Sequence, residues 1–288
     1  MGSSLAKALV TNGLDVRAVV NRNSEKAQAS ARNCGGKVRA YALGDMPRLD
    51  ILFIAVQDDE IERAANALAG ANCLSPETIV AHTSGVKNSE ILSPLSTRTP
   101  LLASFHPAQT FSGQQDDWKR YKNIFYGIEG HSTAVQRLVK IAEQLGGAAI
   151  VIRAEHKALY HLACVFASNV LVAIQAMAVA ILGQAGVDQK NSLDLLKPLV
   201  LATVENIFHH GPVQALTGPV ARGDAGTIQE HFKSLEQYKP EFIHPYAVLV
   251  KQLLKLAEKK EDANRHGLEE INAVVERMLD WLSKSELQ

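Results

Sequence analysis

The chain lacks any excess of one charge: 30 Lys and Arg face 30 Asp and Glu, for a formal net charge of zero. The two signs also balance closely on either side of Ile152. Binding that depends on neutralising a phosphate backbone therefore has no electrostatic footing, and nucleic acid is not an expected partner. Cysteine is scarce. Cys34, Cys73 and Cys164 are odd in number, far apart and without a C-x-x-C pair, which argues against a disulfide framework and points to a reducing, cytoplasmic setting. No metal-ligand spacing relates His82, His106 and His161, so no metal is expected. No charged stretch with an apolar core opens the chain, so no secretory signal is read there. After Met1-Gly2, Ala6 stands where a myristoylation motif wants Ser or Thr. There is no internal repeat and no low-complexity segment.

What is present suits a folded enzyme-sized protein. The 288 residues, 47% hydrophobic and 21% charged, are enough for two domains. Up to Ile152, short β-rich runs alternate with helical ones, as in an α/β fold with a parallel sheet. Beyond it, only helical patterns remain, at about 188–209, 224–238, 240–259 and 265–282. The boundary is placed at 153/154, giving domains 1–153 and 154–288.

The junction itself is the stretch from Ala154 to Gly186. On a helix, Lys157, His161, Cys164 and Ser168 fall near one face, a polar stripe on an apolar rod. From Val170 to Leu182 the rod is almost wholly apolar and demands burial on most sides. Leu162 to Leu182 has the length of a membrane span. Ser168, Asn169 and Gln175 interrupt it, and no aromatic or basic girdle flanks it, so a core helix in a dimer interface is expected and no membrane.

The first residues read as the second half of a βαβ unit. A helix from Gly2 is followed by Asn12-Gly13 and a short strand pattern, Asp15 to Val20. In a dinucleotide-binding turn, the last glycine of G-x-G-x-x-G allows close helix–strand packing, and Gly2, with Ser3 beside it, fits that place. The first strand and the other glycines would lie upstream of Met1, as if the start were placed too late or the chain cut inside the turn. At the end of the next strand, where NAD-binding folds carry an acid, stand Asn21, Arg22, Asn23 and Ser24. Arg22, with Asn21 and Ser24, suits a 2′-phosphate and so NADP, while an exposed turn with a helix cap at Asn23 or Ser24 explains the same letters. The buried-strand run Asp50 to Val56 makes Val56, Gln57 and Asp58 further cofactor candidates at its carboxyl end. Asp58 or Asp59 also reads as a simple helix cap.

Two later strands each end in a histidine: Thr78 to Ala81 before His82-Thr83-Ser84-Gly85, and Leu101 to Phe105 before His106-Pro107. A single strand-end histidine is more often structural. Two at equivalent ends, with Ser84 and Ser104 near, favour a site. The turn from Leu216 to Asp224 reads either as a loop returning toward a cleft or as a rigid corner.

Taken together, His82-Thr83-Ser84-Gly85, Ser104-Phe105-His106-Pro107, the stretch from Lys157 to Asn169 and Leu216-Thr217-Gly218-Pro219 through Arg222-Gly223-Asp224 resemble the Rossmann-like oxidoreductases of the domain-of-unknown-function 2520 family. These are relatives of pyrroline-5-carboxylate reductase and ketopantoate reductase in the 6-phosphogluconate dehydrogenase-like superfamily. The resemblance covers nearly the whole chain. It implies an N-terminal NADP-binding domain and an all-helical 6-phosphogluconate dehydrogenase C-terminal-like domain that builds the cleft and usually the homodimer. It brings no substrate. The chain departs from the pattern where the glycine-rich turn is cut at Gly2, and where Lys157 is followed at i+4 by His161 instead of the Asn common in related dehydrogenases.

The reading that follows is an NADPH-dependent reductase of a small carbonyl or imine compound. His161 or Lys157 would act as general acid. His82, Ser84 and His106 would orient nicotinamide or substrate, and Ser168 and Asn169 would bind substrate polar groups. The rival is a non-catalytic NADP-binding sensor or scaffold with the same fold.

Overall fold

The computed structural model describes residues 1–285 and divides into two compact units, Met1–Val170 and Leu171–Gln288. In the first unit, strands Ala18–Val20 (β1), Arg39–Tyr41 (β2), Ile51–Ile54 (β3), Ile79–His82 (β4), Leu102–Pro107 (β5), Phe125–Gly130 (β6) and Ala148–Val151 (β7) alternate with helices Gly2–Thr11 (α1), Ser24–Cys34 (α2), Ile61–Ala69 (α3) and Ser132–Gln144 (α4). Among the described residues β1 and β2 pair with each other, and β3 to β7 form a five-stranded sheet in chain order. Pairing is parallel except between β5 and β6, which run antiparallel. The reason is in the connection: between β5 and β6 lies only a short 3₁₀ turn, Asp117–Tyr121, with no crossover helix to bring the chain back in the same direction. The fold is thus a mostly parallel, Rossmann-like sheet domain followed by a helical one.

The sheet has two differently built faces because side chains alternate along each strand. On one face Phe105 lies between Phe53 and Tyr126, with ring centroids 5.3 and 4.7 Å away. Ala81, in register with Phe53 and Ala103, is small enough to let rings from non-adjacent strands meet. Leu5 and Leu9 of α1 and Leu138 of α4 close this core. The other face, carrying Leu52, Ile54 and Val80, packs against Ile61 and Leu68 of α3 and against Leu92 and Leu95 of the turn Ser89–Leu95. Caps agree with composition: the Asn23 side chain accepts from the Lys26 N–H and starts α2, as an N-cap Asn should.

The polar stripe of the junction forms α5, Lys157–Val165, followed by a π-helical turn, Phe166–Val170. The second unit contains α6 (Leu171–Gln184), α7 (Gln189–Ala215), α8 (Pro219–Arg222), α9 (Ala225–Tyr238), α10 (Ile243–Ala257) and α11 (Arg265–Ser285). Its core is made by α9, α10 and α11 through Ile228, Phe232, Ile243, Val250, Ile271 and Val275. The Leu216 to Asp224 turn is a corner of this unit: Gly223 is left-handed, at φ 69°, and the Asn264 amide donates to the Arg222 carbonyl at 3.3 Å. The burial expected for Val170 to Leu182 is not found in the single chain. No residue of α6 is buried: an all-round apolar rod needs cover on most sides, and among the described residues α7 is its main neighbour. The helical stretch Ala154–Gln184 contains an 18-residue window of mean hydropathy 2.2 and is long and apolar enough to cross a bilayer by length and composition alone.

Replacing Phe105 by Ala removes the central ring of the stack, and the surrounding sheet cannot collapse into the space. The expected cost is about 3–5 kcal/mol in the first unit, measured as a lowered urea midpoint for its unfolding. A loss below about 1 kcal/mol would show that the stack is not the centre of this core.

Candidate active site

The face opposite the aromatic stack carries a polar row. In-register pairing places His82 of β4 beside Ser104 of β5, and Ser104 beside Glu129 of β6. None is more than 4% exposed. Buried polar groups must find partners, and these do. The His82 Nδ1 accepts the Ser84 N–H at 3.2 Å, which leaves Nε2 to donate to the Asn88 carbonyl at 3.0 Å. Burial pushes the His82 ring down to about 4, so it is neutral and fully engaged. Inside the same turn the Ser84 hydroxyl accepts from the N–H groups of Val86 and Lys87 at 3.3 and 3.1 Å.

Two residues further along β5, His106 lies opposite Gly127 of β6. Gly127 is what lets α5 approach: a Cβ there would lie 2.6 Å from the Tyr160 hydroxyl. Tyr160 therefore settles over β6 and meets the His106 Nδ1 at 2.9 Å, with the rings edge to face. Burial raises the Tyr160 phenol above its ordinary range, so its hydroxyl stays protonated and donates. Burial first, and the charge of Lys157 second, push His106 down to about 3. Its ring is neutral, an acceptor at Nδ1. His161, half-buried, stands edge-on to His106 with centroids 6.0 Å apart. Gly85 separates them: a Cβ would lie 2.9 Å from the His106 Nε2 and run into the His161 ring.

Lys157 closes the group from beneath. It is 1% exposed; its Nζ donates to the Ser84 carbonyl at 3.4 Å and stands 5.5 Å over the Tyr160 ring. Burial lowers the ammonium to about 8, opposed chiefly by the charge of Glu129. A shallow cleft of about 200 Å³ opens on this cluster, bordered by Val56, Asp58, Ser84, Gly85, His106 and His161. A larger hollow of about 400 Å³, lined by Arg153, His156 and Leu159, touches only Tyr160 of the cluster.

The remaining expected residues lie around the strand ends. Gly2 opens α1 against Ala55: a Cβ would sit 3.3 Å from the Ala55 Cβ, tighter than ordinary contact. Ser3 hydrogen-bonds Ser30 of α2 at 2.6 Å. Asn21 accepts from the Asn23 N–H at 3.0 Å, and Ser24 is the first residue of α2. Arg22, its side chain 76% exposed, pairs with Glu60 at 2.9 Å, an exposed bond worth little. Gln57 precedes the 3₁₀ turn Asp58–Glu60, and Val56 is exposed at the end of β3. Ser168 and Asn169 fall in the π-helical turn and do not border the cleft. His82 is likewise sealed below it. Sequence reading missed Tyr160 and Glu129 as site residues. A lone acid in the run Phe125 to Gly130 was the signal for the second; nothing local marked the first.

The architecture is a Rossmann-like sheet domain followed by a helical domain. Residues 1–107 match a Rossmann-like domain, and residues 124–253 match the domain of unknown function DUF2520, so the chain joins these two domains. Among solved structures, a protein from Thermotoga maritima is 29% identical over 88% of this chain and 95% of its own, with a TM-score of 0.73. A Bacteroides fragilis protein provisionally assigned as an NADP oxidoreductase is 25% identical over 87% and 93%, with a TM-score of 0.67. A reductive aminase from Aspergillus terreus, solved with NADPH and ethyl-5-oxohexanoate, shares the fold at 16% identity over 95% and 96%, with a TM-score of 0.62. No curated protein matches the chain.

The imidazoles of buried His82 and part-buried His106 make the first unit acid-sensitive. Unfolded, each takes a proton at about pH 6.5, whereas folded His82 and His106 resist until about 4 and 3. Below about pH 6.5 protons therefore bind preferentially to the unfolded chain. The urea midpoint of the first unit should fall as pH drops from 7 toward 4, and less steeply in His82→Asn. A midpoint independent of pH across this range would mean that the rings are open to water.

Proposed function

We propose that the chain is an NADP-dependent oxidoreductase that reduces a small carbonyl or imine compound. The observation that carries this reading is that His106 and His161 border one cleft at the strand ends, with Tyr160 bonded to His106 and Lys157 buried beneath the Ser84 turn. The chain's residues fit a nucleotide along the same edge. No side chain caps α1, which suits the approach of a pyrophosphate to a helix N-terminus, and Gly2 lies close to Ala55, as tight helix–strand packing requires. Arg22 offers an exposed guanidinium for a 2′-phosphate, exchanging Glu60 for it; Asn21, Ser3 and Ser24 add polar groups, and Val56, Gln57, Asp58 and Ser84 border the nicotinamide side. When bound, NADPH supplies the hydride.

The rest falls to side chains. His161 faces the cleft and donates the proton to the reduced atom. Neutral His106, held by Tyr160, positions the acceptor. Lys157 contributes positive charge from below through the Ser84 turn, and His82 keeps that turn in place. Ser168 and Asn169 bind substrate polar groups. In this reading residues 1–153 serve the nucleotide, and those from 154 onward serve substrate binding and dimerisation in a cytoplasmic homodimer. A second copy would cover Val172, Leu199 and Phe208, which are 69%, 62% and 84% exposed.

A non-catalytic NADP-binding sensor is the second reading, favoured by one observation: Lys157, 1% exposed, is sealed from the cleft. Calorimetry with NADPH and NADH, followed by NADPH oxidation over a panel of small ketones, aldehydes and cyclic imines, separates the two. NADPH should bind more tightly than NADH, Arg22→Ala should remove about a tenfold preference, and His161→Ala should lower turnover about 100-fold. Binding without oxidation across the panel leaves the sensor; no binding of either nucleotide removes both readings.

A further inference from the structure

Glu129 is an acid where acids are rare. It interrupts the apolar run of β6 and is 4% exposed, and a carboxylate so buried must be well partnered. Ser89 provides two bonds: its N–H donates to Oε2 at 2.8 Å and its hydroxyl to Oε1 at 2.7 Å. The Ser104 hydroxyl donates to Oε2 at 3.3 Å. These charge-assisted bonds fix the carboxylate, but neutral donors leave its charge in place. Lys157 is the buried cation of the same region, and the charge of Glu129 is the leading influence that favours its ammonium form.

The connection also runs through the backbone. Ser89 ends the turn that starts after His82, and this turn presents the Ser84 carbonyl to the Lys157 Nζ and Gly85 to the His106 and His161 rings. His82 holds the turn from β4 by way of Asn88, and Glu129 holds it from β6. We propose that Glu129 is a positioning residue of this site: its carboxylate clamps the far end of the Ser84 to Ser89 turn and, as the buried counter-charge, sets the protonation of Lys157. The proposal draws its functional sense from the reductase reading, yet it concerns buried groups whose protonation can be read whether or not the chain turns over a substrate.

The other groups facing Lys157 do not replace this role. Asp58, after β3, and Cys164, on α5, rank behind Glu129 in favouring the ammonium. His82 on β4 and His106 on β5 are held neutral by burial. Tyr160 presents its ring face, and His161 lies one turn along the same helix.

The test uses the full chain labelled with ¹³C at the lysine ε carbons, with the Lys157 signal assigned by its loss in Lys157→Met. In the unaltered protein that signal should titrate near pH 8. In Glu129→Gln, which keeps shape and most hydrogen bonding but removes the charge, the midpoint should fall by about one pH unit or more, and Glu129→Asp should restore part of the shift. An unmoved midpoint in a folded Glu129→Gln protein overturns the proposal. Where Glu129→Gln does not fold, the double variant Glu129→Gln/Lys157→Met should fold again, because the ammonium stranded without its counter-charge is gone. Failure of that rescue assigns Glu129 a packing role only and also overturns the proposal. Neither readout needs nucleotide or substrate, so a failure here is distinct from a failure of the reductase reading.

Discussion

A charged ammonium buried at 1% exposure is the constraint around which the first unit is arranged. Taking Lys157 out of water costs far more than one weak bond to the Ser84 carbonyl returns. The surrounding structure makes up the difference with the face of an aromatic ring, a turn whose carbonyl is held in place, and a buried carboxylate on the next layer. Each needs its own support. The Tyr160 ring needs Gly127 beneath it, the turn needs His82 and Ser89, and the carboxylate needs donors from Ser89 and Ser104. Removing the charge would leave most of these features without a physical reason.

The sheet makes this possible because its two faces do different work. One is filled by the Phe53, Phe105 and Tyr126 rings under α1 and α4. The other carries the in-register row His82, Ser104 and Glu129, with His106 two residues further along β5 opposite Gly127. An apolar core on one side gives the rigidity that lets polar side chains on the other be held to within hydrogen-bond tolerance. The antiparallel turn of β6 matters here as well. It brings Gly127 and Glu129 onto the same face as His106 and Ser104, and so brings Tyr160 into contact with His106.

The second unit shows the opposite economy. Its core belongs to α9, α10 and α11, while α6 and α7 present Val172, Ile181, Leu199 and Phe208 to the surroundings. Apolar surface on that scale is uncommon on a protein that works as a lone chain.

Much of this was legible in the letters. Periodicity located the strands β3, β4 and β5 to within two residues at their ends and the helix carrying Lys157 and His161 at i and i+4, because those signals depend only on neighbours along the chain. Capping residues such as Asn23 did the same for helix starts. The letters also marked His82 and His106 as equals, since each ends an apolar strand. The tertiary structure separated them: one is sealed under a turn, the other borders the cleft against Tyr160. It likewise gave Glu129 its partners and left α6 without burial in the single chain. These outcomes rest on strand register, on the reversed direction of β6 and on which surfaces find a neighbour. All three are set by contacts between residues far apart in sequence, and no local pattern of residue types encodes them.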